Sequence, residues 1–97
     1  MDIKKLNFEP HPGGVGGTQA TVIFDNGYGA SVITGYLFYT RPNAPYELSV
    51  TRDGVLAFDT PIADGALGYQ TASEVEKILD DIANLPVVNQ SCVRVEK

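Results

Sequence analysis

The hydrophobic pattern of this chain changes its period once, and that change constrains the class of fold. Between residues 18 and 58, β-branched and aromatic side chains occur in short runs separated by glycine-containing turns. Between residues 71 and 85, apolar side chains recur every three or four residues, which is the spacing of one helix face. Short strands followed by one helix predict an α+β domain. We expect an antiparallel meander of four to five strands with one packed C-terminal helix.

Two dipeptides mark tight turns in the strand region. Asn26-Gly27 and Asp53-Gly54 both tolerate the positive φ angles of a type I′ turn, so each predicts a hairpin. Residues 46–51 also alternate apolar and polar side chains, which predicts a half-buried strand with Tyr46, Leu48 and Val50 on one face. The predicted strands are 18–24, 30–40, 46–51 and 55–58, with weaker edge-strand candidates at 3–8 and 91–95.

The helix prediction rests on its capping residues and on an apolar stripe. Thr71 is followed three residues later by Glu74, which is the spacing of a capping box. The stripe consists of Val75, Ile78, Leu79, Ile82 and Leu85. We expect a loop over residues 59–70, then the helix, ended by Pro86.

Composition restricts the partners and the compartment. The chain has 97 residues and a net charge of −5, so we expect one domain, 1–97, that neither binds nucleic acid directly nor lies on an anionic membrane. Cys92 is the only cysteine and His11 the only histidine, which excludes an intramolecular disulfide and a standard zinc site. The N-terminal segment lacks the apolar run of a signal peptide. Together these features predict a reducing, cytoplasmic setting.

No motif carries a strong signal for catalysis. The glycine-rich run 13–17 lacks the lysine of a phosphate-binding loop and precedes a strand rather than a helix, so we interpret it as a connection. His11, between two prolines, is interpreted as a solvated loop residue, and Cys92 has no neighbouring histidine to activate it. The acids match no calcium-binding loop. We expect a protein that is not an enzyme and holds no metal and no cofactor.

Charge is segregated along the chain. Residues 59–81 account for the whole net charge of −5, because they contain six acidic residues and a single basic one, Lys77. The acids are Asp59, Asp64, Glu74, Glu76, Asp80 and Asp81. A solvated helix face is one interpretation. The other is an acidic surface that docks onto a basic partner, with Asp64, Glu76, Asp80 and Asp81 as candidate partner-binding residues.

Residues 30–40 carry apolar side chains toward both faces of the predicted strand. Val32, Tyr36 and Phe38 alternate with Ile33, Leu37 and Tyr39. One helix covers only one face of a sheet, so the second face needs the terminal segments, a second copy of the chain or another protein. Because tyrosine combines contact area with a polar tip, Tyr36 and Tyr39 are further candidate partner-binding residues.

Several stretches of the sequence resemble a known family. They are residues 6–12 (LNFEPHP), 17–20 (GTQA), 24–32 (FDNGYGASV), 46–48 (YEL) and 59–62 (DTPI). On these residues the chain resembles a family of small, mostly uncharacterised proteins encoded by tailed bacteriophages. No catalytic motif comes with the resemblance, so it transfers no functional residue. It implies a phage accessory protein in a bacterial cytoplasm, and such small acidic proteins often resemble inhibitors of host defence, including anti-CRISPR proteins.

One expected function and two alternatives follow. The expected function is non-catalytic inhibition of a host defence complex, by contact with a host protein or a protein–nucleic acid complex. The first alternative is a structural or assembly role as a homo-oligomer, with a homodimer as its simplest form. The second is a small-ligand protein that sequesters a nucleotide, using the run 13–17 with Asp25 and Tyr28.

Overall fold

The computed structural model describes residues 2–12, 16–35 and 42–87, which form an antiparallel sheet packed on one helix. The strands are β1 (Glu9–Pro10), β2 (Thr18–Ile23), β3 (Tyr28–Thr34), β4 (Tyr46–Arg52), β5 (Val55–Leu56) and β6 (Leu67–Gln70), and the helix is α1 (Ala72–Ala83). The predicted α+β class, with an antiparallel sheet and a C-terminal helix, is confirmed. The sheet has six strands where we expected four to five.

The first four strands lie in chain order, and two short strands share the far edge of β4. β5 pairs with the C-terminal end of β4, and β6 pairs with its N-terminal half across a register shift between Tyr46 and Leu48. The predicted loop over residues 59–70 is therefore wrong at its end. β6 depends on this irregular long-range pairing and on a positive φ of 55° at Tyr69, which no local alternation reveals.

The core lies between α1 and one face of the sheet. The register aligns Ala20, Val32 and Leu48 in one row across β2, β3 and β4, and Val22, Ala30 and Val50 in the next. From the predicted stripe, Val75, Leu79 and Ile82 are fully buried, whereas Ile78 and Leu85 are half-buried. Fully burying one such aliphatic side chain contributes roughly 1.5–3 kcal/mol relative to exposure, so this face stabilises the domain.

The helix α1 begins at the predicted cap but ends earlier than predicted. Thr71 and Glu74 form the predicted capping box: the Thr71 hydroxyl accepts from the Glu74 N–H at 3.2 Å, and the Glu74 carboxylate accepts from the Thr71 N–H at 2.8 Å. The helix ends at Ala83, before Pro86, so the predicted end is wrong by a few residues. The residue before a proline disfavours the helical conformation, which moves the end back along the chain.

The two predicted hairpins exist, but only one has the expected turn. Asp53 and Gly54 have φ angles of 54° and 82°, as a type I′ turn requires. At the other turn Gly27 has a positive φ of 89° but Asn26 does not. The Phe24 carbonyl accepts from the Gly27 N–H at 3.1 Å, and the Phe24 N–H donates to the Tyr28 carbonyl at 2.8 Å. This is a three-residue loop, so the predicted type I′ turn is wrong there.

Strand bounds also differ from the predictions. Residues 3–8 were expected at a sheet edge, but Ile3–Lys5 form a 3₁₀ turn and only Glu9–Pro10 pair with β2. β3 begins at Tyr28 and ends at Thr34, and β5 ends at Leu56 rather than residue 58. The expectations for residues 13–15, 36–41 and 88–97, including Cys92, lie outside the described residues. Within the described ranges, no helix is long and apolar enough to cross a membrane.

Candidate functional site

The sheet face opposite α1 is polar. Its side chains form three rows across β2, β3 and β4: Thr21, Ser31 and Ser49; Gln19, Ile33 and Glu47; and Ile23, Gly29 and Thr51. Val32 and Ile33 lie on opposite faces of β3, as expected, while Ser31 adds a polar group beside Ile33, and the other apolar residues of that prediction lie outside the described residues. Among the described elements, α1 packs on the other face, and a cavity lies over this one.

A cavity of about 670 Å³ lies over the polar face, and we call it the groove. Its floor combines the polar side chains of Gln19, Thr21, Ser31, Ser49 and Thr51 with the aliphatic side chain of Ile33 and the carboxylate of Glu47. One wall comes from the β4–β5 hairpin and the following loop, through Leu56, Phe58, Asp64 and Ala66, and His11 lines the groove from the β1 side of the sheet. Pockets that bind small molecules have volumes of roughly 300–1,000 Å³, so the groove has the size of a ligand site.

Thr51 places a buried hydroxyl in the floor. Its side chain is 5% exposed, and its Oγ1 has no hydrogen-bond partner among the described residues. On the neighbouring strand, a Cβ added to Gly29 would lie 2.9 Å from this Oγ1 and 2.1 Å from the Val22 carbonyl oxygen. Gly29 therefore provides the space in which the Thr51 hydroxyl sits. Leaving such a hydroxyl unbonded costs about 1–3 kcal/mol, and because its Oγ1 has almost no accessible surface, this cost is borne by the sheet itself.

Gln19 and Ser31 form a hydrogen-bonded pair beside Thr51. The Gln19 Nε2 donates to the Ser31 Oγ at 2.7 Å, between adjacent strands. An amide also carries an acceptor oxygen and a hydroxyl also carries a proton, so the pair has both donor and acceptor chemistry. The floor therefore combines groups of both hydrogen-bonding types.

The loop that forms the wall is attached to the core. The Thr60 hydroxyl accepts from the Ala63 N–H at 3.2 Å and donates to the Ala63 carbonyl at 3.1 Å. Ala63 is buried in the core cluster, which fixes the loop just before Asp64. Leu56 and Phe58 are 51% and 53% exposed, so the wall presents apolar surface beside the polar floor.

The predicted acidic residues do not form one site. Asp64 is exposed and lines the groove, on the side of the sheet away from α1. The other three acids lie on α1: Glu76 accepts from the Ile3 N–H at 2.7 Å, Asp81 pairs with Lys77 at 3.1 Å, and Asp80 is exposed. Asp64 is thus separated from the helix acids by the sheet. The candidates Tyr36 and Tyr39 lie outside the described residues.

The residues of the nucleotide alternative are also dispersed. Asp25 is exposed in the β2–β3 turn, and Tyr28 lies on the helix side of the sheet beneath Arg52, whose guanidinium is 5.8 Å from the ring centroid. Neither residue lines the groove. His11 does: it is a half-buried loop residue whose backbone N–H donates to the Gly17 carbonyl at 2.9 Å, so it is less solvated than expected.

The groove residues carried only a weak signal in the sequence. The alternation in residues 18–23 and 46–51 indicated a polar strand face, and a polar face is typical of solvent exposure. Nothing local showed that the hairpin and loop after β4 make this face concave. Within residues 2–12, 16–35 and 42–87, no group of His, Cys, Asp and Glu side chains is placed to hold a metal ion.

Comparisons with models of known protein families, with curated proteins and with solved structures found no match. The resemblance to phage proteins therefore stays a prediction from the residues quoted above.

Proposed function

We propose that this protein is a non-catalytic binding protein whose ligand lies in the groove. The observation that carries the proposal is the concave floor on three adjacent strands, which combines polar side chains with Ile33 and has an apolar wall beside it. Side chains on paired strands are held in fixed register, so the floor is organised before a ligand arrives. Preorganisation of this kind lowers the entropic cost of binding.

The partners of the floor hydroxyls favour binding over covalent chemistry. A serine or threonine becomes a nucleophile when an adjacent base takes its proton. Ser31 is bonded instead to the amide of Gln19, which is not a base, and Thr51 has no partner among the described residues. Among the described residues, neither hydroxyl is hydrogen-bonded to a base, which suits a site that binds its ligand and leaves it unchanged.

The test is ligand mapping on isotope-labelled protein. Titration with a mixture of small neutral, anionic and cationic fragments is expected to shift the backbone amide resonances of Gln19, Ser31, Ser49 and Thr51. The substitution Ala66→Trp places a large side chain in the groove from an exposed position of its wall, and it is expected to abolish these shifts. Ala83→Trp, at an exposed position of α1, is the matched control and should leave them unchanged.

Two results would overturn the proposal. One is that no fragment shifts the floor resonances at millimolar concentration. The other is that Ala66→Trp and Ala83→Trp have equal effects, because the fragments would then bind elsewhere.

A second candidate is favoured by the charge on α1. Glu74 and Asp80 are exposed on the helix and Asp81 is half-exposed, while Lys77 is the base among them. We propose that this helix surface docks onto a basic partner, and that the protein inhibits a host defence complex by this contact. Glu74 and Asp81 also have intramolecular partners, which hold their carboxylates in place.

Charge reversal separates this candidate from the groove. The double variant Asp80→Lys with Asp81→Lys should fold, since cations near a helix C-terminus are stabilising. In affinity capture from bacterial lysate at low and moderate salt, the unmodified chain is expected to retain a defence complex that the variant loses at low salt. Equal capture by both chains would exclude the acidic helix as the docking surface.

A further inference from the structure

We infer that Asn26-Gly27 is a deamidation site, that the end of α1 holds it closed in the folded chain, and that its modification releases the helix end permanently. An asparagine followed by glycine is especially prone to this reaction, because glycine has no Cβ to hinder its backbone nitrogen. Asn26 is the one asparagine of the chain that a glycine follows. The inference concerns the β2–β3 turn and does not depend on the groove.

Deamidation is a reaction of the chain with itself, followed by hydrolysis. The backbone nitrogen of Gly27 attacks the side-chain carbon Cγ of Asn26, and a bond forms between these two atoms. The bond from Cγ to Nδ2 breaks, and the side-chain nitrogen leaves as ammonia with the proton of the Gly27 nitrogen. Water then opens the resulting succinimide ring at either carbonyl carbon. The product is aspartate, or isoaspartate, in which the backbone runs through the side chain.

The side-chain amide of Asn26 is held on both sides in the folded chain. Its oxygen Oδ1 accepts from the Tyr28 N–H at 3.0 Å, and the residue is only 6% exposed. Its nitrogen Nδ2 lies within hydrogen-bond distance of three carbonyl oxygens at the end of α1: those of Ile82 at 2.9 Å, Ala83 at 3.3 Å and Leu85 at 3.0 Å. Formation of the ring therefore has to break hydrogen bonds to the helix and to Tyr28.

The attacking nitrogen is held as well. The Gly27 N–H donates to the Phe24 carbonyl at 3.1 Å, and the Gly27 carbonyl accepts from the Asp53 N–H at 2.9 Å. The nitrogen has to lose its proton in the reaction, and a proton bound to a carbonyl oxygen is harder to remove. An unfolded chain has none of these contacts. The reaction therefore requires the turn and the helix end to open, which local unfolding provides at a frequency set by local stability.

The product of the reaction lacks the groups that form the cap. A carboxylate has no N–H, so neither aspartate nor isoaspartate at residue 26 donates to the helix carbonyls. Either product also places a negative charge at the negative end of the α1 dipole. Isoaspartate adds one carbon to the backbone of a turn whose two strands are held in register. A chain that opens and deamidates here therefore returns to a less stable fold.

The first test compares the full chain aged in its folded state with the full chain aged in urea, at the same pH and temperature. Peptide mapping by mass spectrometry detects the change from amide to carboxyl, and chromatography separates isoaspartate from aspartate. We expect the reaction at Asn26 to be at least about tenfold slower in the folded chain, because only its open population reacts. Asn43 is exposed in the folded chain and is the internal control, expected to react equally in both samples. Equal rates at Asn26 would overturn the inference.

A second test distinguishes the end of α1 from folding in general. Ile82 and Val75 are both fully buried, at the C-terminal and N-terminal ends of the helix. The deamidation rates of Ile82→Ala and Val75→Ala are each divided by the unfolded fraction from urea denaturation, which removes the effect of global stability. After this correction we expect Ile82→Ala to react at least about threefold faster than Val75→Ala, through local opening of the helix end. Equal corrected rates would overturn the helix end as the gate.

Two further measurements complete the test. If either alanine variant fails to fold, Ile82→Val, which removes one methyl group, is compared with the unmodified chain, and the same faster corrected rate is expected. The deamidated chain is also separated, refolded and denatured in urea. Its unfolding midpoint should be lower than that of the unmodified chain, as should that of Asn26→Asp. An unchanged midpoint in the deamidated chain would overturn the permanent release of the helix end.

Discussion

The side-chain amide of Asn26 donates to the carbonyl oxygen of Ile82 at 2.9 Å, joining the β2–β3 turn to the end of α1. The same amide lies 3.3 Å from the carbonyl oxygen of Ala83 and 3.0 Å from that of Leu85. The last carbonyls of a helix have no partner within the helix, so Asn26 supplies one from a residue 56 positions away. The turn therefore holds α1 against the sheet at its C-terminal end.

Removal of this cap should destabilise the fold. Asn26→Ala removes the donor that the carbonyls of Ile82, Ala83 and Leu85 share, of which Ile82 keeps the Leu85 N–H at 3.1 Å. We expect a loss of about 1–3 kcal/mol in the free energy of unfolding, measured by urea denaturation. Asn26→Asp should be at least as damaging, since it removes the donor and adds an anion at the negative end of the helix. The exposed Asn43 gives the control Asn43→Ala, expected within about 0.5 kcal/mol of the unmodified chain. Equal stability of the two alanine variants would contradict the cap.

Gly29→Ala tests the close approach of two strands under the groove. The new Cβ would lie 2.1 Å from the Val22 carbonyl oxygen, which forces the backbone of β2 or β3 to move. We expect a loss of about 3 kcal/mol or more, measured as a lower unfolding midpoint. At Gly65 a Cβ meets open space, so Gly65→Ala should change stability by less than about 0.5 kcal/mol. A tolerated Gly29→Ala would show that the strands are further apart.

The capping box of α1 makes a separate prediction. Thr71→Ala removes the acceptor for the Glu74 N–H and should cost about 1 kcal/mol, observed in thermal unfolding followed by circular dichroism. Thr71→Ser keeps a hydroxyl at the same position and should recover most of that loss. If serine is no better than alanine, the hydroxyl does not cap the helix.

Glu76 is expected to hold the N-terminal segment against α1. Its carboxylate accepts from the Ile3 N–H at 2.7 Å, so Glu76→Ala should release the 3₁₀ turn and cost about 1–2 kcal/mol. Hydrogen exchange measures the release directly, as faster exchange of the Ile3 amide with little change in the strands. Ser73→Ala, at an exposed position of the same helix, is the control. Unchanged exchange at Ile3 in Glu76→Ala would contradict this attachment.

The part of the fold predicted correctly depends on neighbours in sequence. The capping box places Thr71 and Glu74 within one turn, and the positive φ angles of Asp53 and Gly54 belong to adjacent residues. The buried face of α1, with Val75, Leu79 and Ile82, could be predicted because these apolar side chains recur at the helical period. Local patterns therefore predicted the α+β class, the helix, its start and the main strands.

The candidate site could be predicted only in part. Asp64 was named for its charge, and the structure places it on the wall of the groove, whereas Glu76, Asp80 and Asp81 lie on the helix instead. Thr51 and Gln19 were simply polar strand residues in the sequence. Their significance depends on the absence of a side chain at Gly29 and on the position of Ser31, both on a neighbouring strand.

The sequence by itself determined the helix, its start, the long strands β2, β3 and β4 and the face of β4 that packs against α1, because these depend on side-chain spacing over a few residues. Tertiary structure alone decided that Asn26 caps α1, that β6 pairs with β4 and that the loop after β5 makes the polar face concave. Each of these depends on contacts between residues far apart in the chain. Their formation depends on how loops, edges and turns meet once the core has packed, and no local period encodes that geometry.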